Sequence, residues 1–119
     1  NNNMQVPTLN KEETFQSEDN FLKKIVKHLC VIHDISLTDL ECLLLGYYIK
    51  YGYQRTTDKL FLERKNVKGE VTLNYIKLKL RKMGALRPNP DNDYMDIHKP
   101  FKIKFDTVLG LKILIKHEQ

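Results

Sequence analysis

Seven side chains within nine positions, Asn74, Tyr75, Lys77, Leu78, Lys79, Arg81 and Lys82, bring together the groups that a phosphate-lined surface calls for. Ammonium and guanidinium groups neutralise phosphate, an asparagine amide can pair with an adenine edge, and a leucine offers apolar contact to a thymine methyl. Upstream stand Arg55, Thr56, Lys59, Lys68 and Thr72. Their types suit contact with a backbone of phosphates.

The charge distribution follows the same residues. The formal net charge is +5, yet positions 1–20 carry −3, positions 21–53 carry +1, positions 54–87 carry +7 and positions 88–119 are neutral. Such a concentration is the electrostatic footprint of a domain that binds nucleic acid, although lysine-rich faces also serve solubility alone.

Other chemistries find little support. Neither GxGxxG nor GxxxxGK occurs, His28, His33, His98 and His117 form no HExxH, and no cysteine stands at zinc spacing. Ser17 and Ser36 are the only serines. No enzyme activity, metal or other cofactor is therefore expected. Asp91 and Asp93 lack the glycine and glutamate that a calcium loop needs. Cys30 and Cys42, without a CxxC pair, read as reduced core residues. No apolar run approaches the roughly 20 residues that span a bilayer, and no signal-peptide order is present, so a cytoplasmic protein without a membrane partner is expected.

The element that must display the basic cluster is a helix over 73–83. Thr72 is its expected N-cap, Leu73, Ile76, Leu80 and Met83 recur at the spacing of a buried stripe, and Gly84 supplies a left-handed stop. Asn74, Tyr75, Leu78, Arg81 and Lys82 then face outward, with Lys77 and Lys79 at the flanks. Leu78 has a second reading, as part of a wide core stripe. Next, Ala85 to Ile97 places Pro-Asn-Pro-Asp-Asn-Asp between two short segments, which predicts a β-hairpin.

Helix, glycine and hairpin in this order resemble a winged helix-turn-helix. Thr72 to Leu86 is similar to the recognition helix and following turn of bacterial winged-helix regulators of the MarR type and of small phage and plasmid winged-helix proteins, through Leu80, Lys82-Met83-Gly84 and Leu86. Leu37-Thr38-Asp39-Leu40-Glu41 resembles the start of the preceding domain helix. The resemblance covers about positions 21–100. It implies an α+β winged helix-turn-helix of three to four helices, with a hairpin wing, that binds duplex DNA.

Around this domain, positions 1–20 read as a disordered or loosely attached arm, and Asn1 to Asn3, which precede Met4, are assigned no role. Positions 21–100 form the expected winged-helix domain. Phe21, Ile25, Leu29 and Ile32, widened by Leu22 and Val26, mark a first core helix, with a strand in 27–35 as the alternative. Thr38 and Glu41 form a capping box for a central helix buried through Leu40, Leu43, Leu44, Tyr47 and Tyr51. Gly46 within it suggests a close crossing. Tyr47, Tyr48, Tyr51 and Tyr53 could stack on bases, or pack in the core.

Thr56 or Thr57 can cap the supporting helix over 58–64, and the stretch 65–71 is longer than a usual helix-turn-helix connection. Either that helix runs on, or a loop with Lys68 projects beside the recognition helix. Asp91, Asp93 and Asp96 make the wing acidic, so its tip is expected to avoid phosphate. Positions 101–119 read as a C-terminal β extension. Phe101 to Phe105 alternates apolar and basic residues, as does 111–116 but for Leu114, and such strands could pair two subunits into a homodimer. A helix over 107–116 is the competing reading.

Two functions fit these residues. One is a DNA-binding regulator of transcription or replication, of phage, plasmid or bacterial origin, that reads duplex DNA with the helix 73–83. The other is a winged-helix interaction module that docks on a host or phage protein.

Overall fold

A computed structural model describes residues 12, 14–67, 69–104 and 114–117. Its elements run α1 (Glu18–His33), α2 (Asp39–Tyr51), α3 (Arg55–Lys65), α4 (Glu70–Lys82), β1 (Leu86–Pro88), β2 (Met95–Ile97) and a 3-10 turn at Lys99–Phe101. The class is α+β, four helices with one antiparallel hairpin, as the sequence predicts.

The core is built around α2, because Cys42 to Tyr48 are buried without interruption. A helix apolar all round belongs inside, and α1, α3 and α4 pack on it. The Thr38–Glu41 capping box forms in full. Gly46 faces α1 so closely that a Cβ there would stand 2.8 Å from the Leu22 Cβ, which is the crossing the glycine predicts. The tyrosines belong to this core: Tyr47 and Tyr48 are fully buried, and Tyr51 and Tyr53 pack at its edge. Cys30 and Cys42 are free buried thiols.

Several expected boundaries shift. The arm does not extend to residue 20, since Ser17 caps α1 and Glu18 and Asp19 belong to its first turn. Those acids clasp the bundle: Tyr51 donates to Glu18 at 2.5 Å, Tyr47 donates to Asp19 at 2.8 Å, and Lys50 and Lys65 ion-pair with Glu18 and Asp19. In α1 the buried set is Leu22, Val26, Leu29 and Cys30, while Phe21 and Ile25 lie at the rim. The helix runs through His33, which removes the strand alternative for 27–33.

The long connection also resolves. α3 continues to Lys65 and α4 begins at Glu70, leaving the four positions 66–69, an ordinary length. Gly69, at φ 82°, occupies the N-cap position, so Thr72 lies inside the helix rather than capping it. At the other end Gly84 takes φ 80°, its N–H donating to Arg81 O at 3.0 Å and that of Ala85 to Leu80 O at 2.9 Å. This pair is the Schellman stop the glycine predicts, and it aims the chain into β1.

β1 and β2 pair Leu86 with Ile97, Arg87 with Asp96 and Pro88 with Met95. Beyond them the predicted strand 101–105 is not formed over 101–104. Pro100 opens a 3-10 turn instead, and Phe101 is buried as a ring stacked on His33, centroids 4.3 Å apart. The expected segment 105–113 lies outside the described residues. Leu114 and Ile115 are exposed and in no strand. Among the described residues, no helix is long and apolar enough to cross a membrane.

Candidate nucleic-acid interface

α4 is fixed before it displays anything. Leu73, Ile76 and Leu80 are buried against the bundle, whereas Met83, expected to join them, ends the helix as its C-cap and is exposed. Two lysines clamp the flanks. Lys77 reaches Asp58 of α3 at 2.7 Å and sits over the Tyr53 ring, and Lys79 reaches Glu41 of α2 at 2.6 Å.

Each acceptor is itself organised. Asp58 also accepts from the buried Tyr48 hydroxyl at 2.5 Å, and Glu41 accepts from the Thr38 N–H at 2.7 Å. Burial pushes the Glu41 carboxyl up, but the Lys79 ammonium and the Thr38 bonds outweigh it and hold the group below its ordinary value. Both lysines, expected to touch phosphate, are thus engaged within the fold, at 19% and 34% side-chain exposure.

The outward face is different in kind. Asn74, Tyr75, Leu78, Arg81 and Lys82 are all exposed on it, as expected, and Val71 joins them. Arg81 and Lys82 have no carboxylate partner among the described residues, nor do Arg55 and Lys59, which stand exposed with Thr56 on the first turns of α3. Lys68 lies outside the described residues. These four cations therefore come from two helices joined by one short connection.

Sequence reasoning missed two of the apolar side chains exposed in this region, Val71 and Leu40. Val71 is 69% exposed, Tyr75 72% and Leu78 45%, and Leu40, expected in the core, is also at the surface. Between the start of α2 and α4 runs a groove of about 530 Å³, lined among others by Leu40, Tyr75, Ile76, Leu78, Lys82 and Met83. The signal for Val71 was the glycine at 69, which moves the helix start forward. For Leu40 it was the capping box, which leaves position 40 in the first turn, where a helix emerges from its core.

The hairpin tip carries Asp91 and Asp93, both exposed and without a neighbouring cation among the described residues. Asp96 is turned to Lys102 at 2.6 Å. No family model, no curated protein and no solved structure matches the chain.

Proposed function

We propose that the chain is a small winged-helix protein that binds duplex DNA, with α4 in the major groove, as a transcription or replication regulator of phage, plasmid or bacterial origin. One observation carries the reading: Asn74, Tyr75, Arg81 and Lys82 share an exposed helix face with no hydrogen-bond or ion-pair partner among the described residues, beside Arg55, Thr56 and Lys59. The four-residue connection between α3 and α4, and the hairpin that follows, are compatible with this architecture. Duplex phosphates would meet Arg55, Lys59, Arg81 and Lys82, while the acidic wing tip stays clear.

The test is a salt titration of binding to a random-sequence duplex. Four phosphate contacts give a slope of log K against log salt of about −3.6. A flat profile, or no binding at low salt, would end the proposal.

A second reading has its own observation. The apolar groove beside α4 would suit a segment of a host or phage protein, and binding of such a segment without any DNA affinity would favour an interaction module.

A further inference from the structure

The outer face of α4 narrows what kind of DNA it fits. Val71, Asn74, Tyr75 and Leu78 stand at i, i+3, i+4 and i+7, so they cluster at the centre of that face. Val71 and Leu78 lie about 10 Å apart along the helix axis, which is close to three base-pair steps at about 3.4 Å each. Apolar groups at both ends of this cluster need an apolar counterpart. In the major groove the only one is the C5-methyl of thymine.

The same stretch lacks the groups that read guanine. Arginine or lysine on the O6 and N7 of guanine is the commonest base-specific contact, and from Glu70 to Leu78 the sole cation is Lys77, which is bound to Asp58. Glu70 stands in the first turn, where its carboxylate suits the helix's own free N–H groups. Asn74 remains, exposed and without a hydrogen-bond partner among the described residues, with the two-pronged amide that matches adenine N6 and N7.

We infer that this face selects a short run of A·T base pairs, with thymine methyls against Val71 and Leu78 and an adenine edge against Asn74. The inference rests on the DNA-binding reading above and goes beyond it by assigning base preference to named side chains. Arg81 and Lys82, in the last turn, supply charge without sequence.

The test uses four duplexes of equal length, alternating A·T, alternating A·U, alternating G·C and alternating G·5-methylcytosine, in fluorescence anisotropy at low salt. Uracil differs from thymine only by the methyl, and 5-methylcytosine restores that methyl at the same groove position. Each methyl contact is expected to contribute about fourfold, so A·T should bind about 15-fold tighter than A·U. G·5-methylcytosine should exceed G·C. V71S/L78S should bring the A·T to A·U ratio within about twofold of unity at an unchanged salt slope, and V71S alone, made should the double variant not fold, should bring it to about fourfold.

Equal, salt-dependent binding to A·T and A·U would overturn the base preference and leave DNA binding standing. Tighter binding to G·C than to A·T would do the same. No binding to any of the four would overturn both.

Discussion

Lys77 of α4 lies 2.7 Å from the Asp58 carboxylate of α3, which also accepts a hydrogen bond from the buried Tyr48 hydroxyl. One carboxylate thus serves two helices, and it fixes how α4 leans on α3. D58A would strand a buried hydroxyl and a half-buried ammonium, at a cost of about 3 kcal/mol. K77M, which removes the charge and keeps the stem, should cost about 1 kcal/mol. Chemical denaturation measures both, and a D58A cost no larger than that of K77M would deny Asp58 its double role.

The division of labour among the cations predicts two kinds of variant. R81E/K82E should lower duplex affinity on the order of 100-fold while leaving stability within about 0.5 kcal/mol, because both residues are exposed and have no ion-pair partner among the described residues. K79M should reduce stability first, because it breaks the bond to Glu41. Parallel anisotropy and urea melts separate the cases. Equal affinity losses in both variants would mean that Lys79 leaves Glu41 for phosphate.

Acid should loosen the bundle by a predictable route. The Tyr51 hydroxyl, aided by Lys50 and Arg64 against the cost of burial, holds Glu18 below its ordinary 4.5. Glu41 is lowered from the same 4.5 by Lys79 and Thr38 in spite of burial. A carboxyl depressed in the folded state contributes stability that is complete above the unfolded value and is lost as pH falls through the folded one. The urea midpoint should therefore be level at higher pH and decline below about pH 4.5, and E41Q, which retains the capping geometry, should decline less. A wild-type midpoint that rises below that pH would contradict the assignment.

G46A tests the closest helix crossing. Alanine would raise helix propensity by about 1 kcal/mol, yet its Cβ would meet the Leu22 Cβ at 2.8 Å, and crowding a packed core costs about 1–3 kcal/mol. The sum should be a loss of stability in a thermal melt. A gain would mean that α1 can retreat at no cost.

Where a residue type has one physical use, the sequence was readable. Gly84, with its helix stop, the Thr38–Glu41 box and the turn-rich hairpin all took their expected places, because each depends on neighbours within a few positions, while Gly46 marked a crossing without naming its distant partner, Leu22. The partners of Lys77 and Lys79 were not readable in the same way, since Asp58 and Glu41 lie 19 and 38 positions away and only the packing of three helices brings them close. The C-terminal strand failed for a similar reason. Alternation at 101–105 satisfies a strand, but a buried place against His33 satisfies Phe101 better, and Pro100 favours the turn that delivers it.

That last contact bears on the order of assembly. α1 is fastened near its start by Lys65, 46 positions later, and its final residue His33 is covered by Phe101, 68 positions later. Contacts so distant along the chain close late, so during synthesis α2 can cover the oily side of α1 early, but the His33 end of α1 must wait, uncovered, until residue 101 has emerged. A pause in translation between α2 and that residue would leave a nascent chain whose first two helices are paired but whose seam is open at the His33 end.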